Sequence, residues 1–369
     1  MRKTIEFFGT KYQFESEMAV IEASIKQGLL GASLYKSEVI AQFEQRLGSY
    51  LERKYVVTTG SCSDALAFSL SALELEPGSE VLVPAFSFIA SASCVLRAGL
   101  VPVFVDIDRS TMCMNLEAAE KQLTARTKAL VFAHLFGAVQ NHDEIADFCE
   151  RHGLYFIEDF AQAFAPNLPW KPKRSAITCL SFNPTKVFGG IENGGAVATD
   201  DAKIAEKVRR WTYHGRIGSE EPSEFAGQVS LLTSMNAYYL LGKLDRFQEI
   251  VAKRLKILRR YSKGLRDLPG VSLVCDEKVN RNGHKVSILI ERRDELKKYL
   301  AERGVATRVH YPRPLPDEPL FKNFVRGSFP EAEWVSAHVL SLPIHEGMTL
   351  DDVDYVVEVV HSFVEQGAD

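Results

Sequence analysis

Between residues 54 and 199 the sequence repeats one pattern: a short apolar run with no polar face, a helix-length segment, then another such run. The runs "KYVVTTG", "EVLVPA", "VPVFVDID", "KALVFAHLF" and "LYFIED" read as strands. Between them "SDALAFSLSALEL", "NLEAAEKQLT" and "HDEIADFCERHG" read as helices. Strands that are apolar on both faces must be covered on both sides, and strands separated by helices run parallel. The expected fold class is therefore α/β, with a mixed, mostly parallel sheet between helical layers. Two further strands, "ITCLSFN" and "GGAVATD", are separated by ten residues that form a strand-to-strand connection rather than a helix start.

The C-terminal part changes character. Residues 235 to 266 read as one long helix with a stripe of Tyr238, Leu241, Leu244, Val251, Leu255, Leu258 and Tyr261. Beyond it, "GVSLVCD", "KVSILI", "RDELKKYLAERG", "VATRVHY" and "TLDDVDYVVEVVHSFVEQ" make a small α+β unit. The expected division is a large domain over residues 1–245 and a small one over 246–369.

Composition excludes several classes of function. With 46% hydrophobic and 25% charged residues, the chain is an ordinary globular protein with room for a full core. Its net charge of −4 gives no reason to expect nucleic acid or an anionic membrane as partner. The longest uncharged stretch, Val81 to Leu96, is 16 residues and contains Pro84, too short for a membrane span; it reads as strand, turn and buried helix. Six cysteines (Cys62, Cys94, Cys113, Cys149, Cys179 and Cys275) lie far apart without a C-x-x-C pair, which argues against zinc and against a disulfide framework. After Arg2 and Lys3 no apolar core of signal-peptide length follows, so the expected location is the reducing cytoplasm.

In a parallel α/β sheet, ligands sit at the carboxyl ends of the strands. Lys186 lies at such an end, beside glycines 189, 190, 194 and 195, which allow tight backbone turns. Desolvation lowers the pKa of a buried lysine, and a neutral amine can condense with an aldehyde to form a Schiff base. Pyridoxal phosphate is the commonest such aldehyde, and it needs a carboxylate for its ring nitrogen, a phosphate cradle and a flat face to stack on. Asp159 ends a strand in "FIEDFAQAF"; "TTGSCSD", with Ser61 and Ser63, runs from strand into helix; Phe88 follows the second strand. A helix N-terminus binds phosphate well. Taken singly, an Asp at a strand end is more often a helix cap, a Phe in an apolar run is core, and a serine-rich turn is capping chemistry.

Together, "GSCSDALAFSLSALELEPGSEVLVPAFSFIA", "VPVFVDID", "FIEDFAQA", "LSFNPTKVFGGIENGGAVATD", "VHYP" and "LSLPIH" resemble, in order and spacing, the DegT/DnrJ/StrS sugar-nucleotide aminotransferases. These are fold-type-I pyridoxal-phosphate enzymes, and the resemblance runs from about residue 15 to 365. It implies a seven-stranded large domain, a small C-terminal α+β domain and a homodimer with the active site at its interface. It implies transfer of an amino group from an amino acid, L-glutamate, to a keto-sugar that is nucleotide-linked. Lys186 resembles the Schiff-base lysine, Asp159 the partner of the pyridine nitrogen, and Gln162 the glutamine near the ring hydroxyl. Phe88 matches the stacking aromatic; Cys62, Ser63 and Ser181 match positions at the phosphate. His310 and Tyr311 sit where the small domain approaches substrate, and His214 is a further candidate.

The chain departs from the family pattern in places. Phe164 stands where a histidine is usual, and Val229 where an asparagine reaches the other subunit's cofactor phosphate. The segment between Asp159 and Lys186 is short and carries Lys171, Lys173 and Arg174, a basic cluster that is either solvated or faces a sugar diphosphate. Two other classes stay open: a family-fold protein without transaminase chemistry that acts as a binding or regulatory module, and a sugar dehydratase relative. Dehydratases of this group replace the lysine by histidine, so Lys186 counts against the second.

Overall fold

A computed structural model describes residues 4–31, 34–166, 177–218, 220–274, 276, 278–279 and 281–366. The seven expected strands of the large sheet form as β1 (Tyr55–Thr59), β2 (Glu80–Pro84), β3 (Val101–Val105), β4 (Thr127–Ala133), β5 (Tyr155–Asp159), β6 (Ile177–Ser181) and β7 (Gly195–Thr199). Their spatial order is β1-β7-β6-β5-β4-β2-β3. β7 runs antiparallel to both its neighbours, and the remaining pairs are parallel. The β6–β7 connection, thirteen residues without a helix, suits this: such a link joins antiparallel neighbours, whereas a parallel pair needs a crossover, usually through a helix.

The apolar runs behave as their composition requires. Every residue of β2 and of β7 is buried, because helices cover both faces. On one face, Val57, Cys179 and Val197 pack with the helix Cys62–Ala72. On the other, Phe43, Phe182, Phe188, Phe247 and Leu240 form an aromatic-rich core. Phe164 belongs to this second core, its ring 5.0 Å from Phe247 and 5.2 Å from Phe188. A histidine there would face an apolar wall.

The long helix is Ser234–Leu265, 32 residues. Leu244, Val251, Leu258 and Tyr261 of the expected stripe are buried, but Tyr238, Leu241 and Leu255 are only half-buried. Tyr239, Leu240, Phe247 and Ile257 are buried instead. The helix packs on Thr10–Leu30 and Glu38–Leu51 at one end and on Leu350–Glu365 at the other, so its covered face changes direction along its length.

The C-terminal part carries an antiparallel sheet of β8 (Ser272–Val274), β9 (Val286–Leu289) and β10 (Val339–Leu342), in the order β10-β9-β8. "VATRVHY" is not one of its strands; Arg308 makes a single bridge to Ser341. A core of Leu258, Tyr261, Val286, Leu340, Val353 and Val356 lies beneath the sheet. Ile5 shares that core and pairs with Val305, and Ser234–Leu265 runs across residue 245. The division at 245 and 246 stays a proposal.

Candidate active site

The carboxyl ends of β1, β2, β5 and β6 open onto a cavity of about 520 Å³. Cys62, Ser63, Phe88, Asp159, Gln162, Ser181, Lys186, His310 and Tyr311, nine of the residues singled out in the sequence, line it together. They arrive from several separate segments, so strand order and helix placement assemble the group.

Alternation along β5 sends Asp159 to the cavity and Glu158 to the opposite side. Asp159 Oδ2 accepts a hydrogen bond from Ser91 Oγ at 2.7 Å, and Oδ1 accepts one from the Ala161 N–H at 3.2 Å. Burial pushes the Asp159 pKa up, against the pull of these donors and of Lys186. Glu158 accepts from Thr178 Oγ1 at 3.0 Å and from the ring nitrogens of His134 and His142 at 3.1 and 3.2 Å. The Gln140 N–H donates to His134 Nδ1, so the proton of that ring sits on Nε2 and points at Glu158. Burial alone would raise the Glu158 pKa, but the two histidines hold it down at about 2.

Lys186 sits in the β6–β7 connection, half-buried at the wall of the cavity. Its backbone N–H donates to Asn183 O at 2.8 Å, and its carbonyl accepts from the Gly189 N–H at 2.9 Å. Desolvation lowers the pKa of its amine, and Asp159 and Cys62 oppose that shift. Asn236, fully buried, braces the connection: Oδ1 accepts from the Ile191 N–H at 3.1 Å, and Nδ2 donates to Glu192 O and Asn193 O. A Cβ on Gly190 would lie 2.1 Å from Asn236 Oδ1, and one on Gly195 would lie 2.5 Å from the Cys62 nitrogen. Glycine at both positions lets backbone close on backbone around Lys186.

Ser61 Oγ accepts from the Asp64 N–H at 3.1 Å and caps the helix Cys62–Ala72. The carboxylate of Asp64 is tied to Arg97 at 2.6 Å and to Ser230 Oγ at 2.7 Å, which turns that charge away to the side. Burial raises the Cys62 thiol well above its usual pKa, so it stays neutral. Ser181 ends β6, and Phe88 is 53% exposed, with its ring 6.2 Å from Tyr311. Gln162 is held at both ends of its amide: Oε1 accepts from the Phe136 N–H at 3.0 Å and Nε2 donates to Tyr311 Oη at 3.1 Å. His310 Nδ1 lies 3.0 Å from Ser341 Oγ, and burial with nearby Lys285 and Lys186 lowers its pKa to about 3.

Two expected positions lie elsewhere. His214 is exposed, at φ 56°, and does not line the cavity. Val229 is 56% exposed and bridges to Tyr213, also away from the lining. Lys171, Lys173 and Arg174 lie outside the described residues. The structure adds residues that no motif marked: Ser91 behind Asp159, and Phe8, His284 and Lys285 on the wall. Their segments are distant in sequence, and no motif ties these side chains to the cavity.

These parts fit the demands of pyridoxal phosphate: a desolvated amine, a buried carboxylate, an exposed aromatic face and a capped helix start around one cavity of ligand size. Residues 15–361 match the model of the DegT/DnrJ/EryC1/StrS aminotransferase family. The chain is 32% identical to a pleiotropic regulatory protein of Geobacillus stearothermophilus, over 95% of this chain and 96% of that one. It is 31% identical to dTDP-3-amino-3,4,6-trideoxy-alpha-D-glucose transaminase of Streptomyces venezuelae, over 98% and 97% of the two chains. It is 32% identical to 3-oxo-glucose-6-phosphate:glutamate aminotransferase of Bacillus subtilis, over 89% and 76%. The crystal structure of NtdA from Bacillus subtilis with bound pyridoxamine phosphate superposes with a TM-score of 0.91 at 30% identity, covering 98% of this chain and 85% of that one. By sequence and by fold, this chain belongs to the DegT/DnrJ/EryC1/StrS aminotransferase family.

Proposed function

We propose that the chain is a pyridoxal-phosphate-dependent aminotransferase that moves the amino group of L-glutamate to a nucleotide-linked or phosphorylated keto-sugar. The observation that carries this reading is the convergence of Lys186 and Asp159 on one cavity, the amine desolvated and the carboxylate buried. The names of the Streptomyces and Bacillus subtilis relatives support the choice of substrates.

When bound, the cofactor supplies an electron-withdrawing ring that stabilises negative charge at the donor's α-carbon. Lys186 would be its anchor, and its free Nζ would act as the general base that takes the proton from that carbon. Asp159, kept in place by Ser91 and Ala161, holds a proton on the ring nitrogen. Phe88 gives the ring a face, Gln162 reaches its hydroxyl, and Cys62, Ser63 and Ser181 hold the phosphate at the start of Cys62–Ala72. His310 and Tyr311 contact the substrate. Overall, L-glutamate leaves as 2-oxoglutarate and the sugar ketone becomes an amine.

A homodimer is part of the proposal, supported by the exposed apolar side chains of Leu29, Leu30 and Val229. So is a cytoplasmic location, in keeping with the free thiols of Cys62, Cys94, Cys113, Cys149 and Cys179. The name of the Geobacillus relative favours one alternative, a regulatory module on the same fold.

The test is the near-ultraviolet and visible spectrum of the protein with pyridoxal phosphate, before and after L-glutamate, for the wild type and Lys186→Ala. A visible band that glutamate discharges, absent in Lys186→Ala, is expected. A wild type that takes up no cofactor overturns the transaminase and leaves the regulatory module. Light scattering reads the dimer.

A further inference from the structure

Lys285 is only 6% exposed, yet it lines the same cavity as Lys186. It directly precedes β9, and its backbone N–H donates to Phe136 O at 3.3 Å. The ammonium lies 5.0 Å from the ring centre of Phe7 and 4.9 Å from that of Phe8. Arg254 braces the preceding backbone, donating to Gly283 O at 2.9 Å and to His284 O at 3.3 Å, and is itself paired with Glu346 at 3.2 Å. Lys285 is therefore presented from a fixed platform.

The cavity wall carries more amines than carboxylates among the described residues. Among the described residues that line it, Asp159 is the only carboxylate, and it faces Ser91 and the Ala161 N–H. Lys186 and Lys285 are the two amines, and burial lowers the pKa of His284 and His310 beside them, so those rings stay neutral. Lys285 brings a second amine to the cavity that Lys186 lines.

We propose that Lys285 is a specificity-determining residue of this site, whose ammonium receives an oxyanion of the substrate, a carboxylate or a phosphate. The inference rests on the transaminase reading. Burial, with Lys186 and Arg254 nearby, lowers the Lys285 pKa well below its usual value. An arriving oxyanion restores the proton and makes a charge-assisted hydrogen bond in a site of low dielectric. A neutral ligand does neither. Both substrate classes can bring the anion: the amino donor has two carboxylates, and a phosphorylated sugar has its phosphate.

The experiment titrates holoenzyme calorimetrically with two unreactive probes, glutarate for the donor and glucose 6-phosphate for the sugar, in wild type, Lys285→Met, Lys285→Gln and Lys285→Arg. Binding of at least one probe is expected to weaken by ~10-fold or more in Lys285→Met and Lys285→Gln, with partial retention in Lys285→Arg. The probe that weakens identifies the source of the anion. In turnover, KM for that substrate rises while kcat is kept. As a variant-free measurement, the wild type is expected to bind its preferred anion ~10-fold or more tighter than a neutral analogue, glutaramide or glucose.

The inference is overturned if the neutralised variants, with wild-type cofactor absorbance and melting temperature, bind both probes within about 2-fold of the wild type. It is also overturned if the wild type does not discriminate the anions from their neutral analogues. A wild type that takes up no cofactor overturns the function instead. A wild type that transaminates, with Lys285→Met unchanged in both KM values, overturns the role of Lys285 alone.

Discussion

Glu158 and Asp159 are neighbours on β5, and the two carboxylates serve opposite sides of the sheet: Glu158 receives His134 and His142, while Asp159 receives Ser91 and faces the cavity. Their pKa values move in opposite directions for the same reason, the balance between desolvation and hydrogen-bond donors. Asp159 is pushed up by burial; Glu158, with more donors, is held at about 2.

Glu158→Gln tests the hidden half of that pair. Leaving the histidine donors poorly matched is expected to cost about 1–3 kcal/mol of stability at pH 7. The folded pKa lies below the ordinary 4.5, so the carboxylate's contribution is fully present above that pH and is lost as pH falls toward about 2. The gap between wild type and variant in urea midpoint should therefore hold from pH 7 to 5 and shrink below 4.5.

Asp159→Asn keeps the shape and removes the charge. The glutamate half-reaction should slow by about 100-fold or more, as when a preorganised electrostatic partner is removed from an active site. Stopped-flow absorbance reads the rate, and an unchanged melting temperature separates chemistry from folding. A rate within a few-fold of the wild type would remove Asp159 from the mechanism.

Gly190→Ala drives a methyl group into Asn236 Oδ1, which bonds the Ile191 N–H. We expect a loss of about 1–3 kcal/mol from overpacking. Asn236→Ala should cost about 1–3 kcal/mol by stranding backbone groups, and the double variant less than the sum, because loss of the Asn236 side chain relieves the overpacking. Additive values from denaturant melts would show that the glycine and the asparagine act independently.

Gln162→Leu leaves the Phe136 N–H without its acceptor and Tyr311 Oη without its donor. Tyr311→Phe removes only one of these bonds. The leucine variant should bind cofactor more weakly than the phenylalanine variant, by about 10-fold, measured as the apparent cofactor Kd by absorbance titration. Equal affinities would mean that the Gln162–Phe136 bond is dispensable.

Much of the site was legible because its residues occupy strand ends or the turns next to them. β1, β2, β5 and β6 could be read from their apolar runs, and a parallel sheet gathers whatever stands at their carboxyl ends. Lys186, Asp159, Phe88 and the Ser61–Ser63 turn all came into view this way. His214 did not join them, since its segment is neither strand nor strand end and leaves its side chain exposed. The stripe of the long helix was misread because three different helices cover it along its length.

By itself the sequence determined the alternation of buried strands and helices, and with it the large sheet and the line of candidate side chains along one edge. That is local physics: apolar periodicity, turn chemistry and the need to cover both faces of each strand. Only the tertiary structure decided that Ser91 stands behind Asp159, that Asn236 clamps the turn after Lys186, and that Lys285 meets the cavity from beside β9. Those contacts join residues 45 and 68 positions apart, Asn236 with Ile191 and Ser91 with Asp159, and the cavity brings Lys285 to the wall that Lys186 lines. Nothing local encodes them, because they form only when separate elements close over a common core.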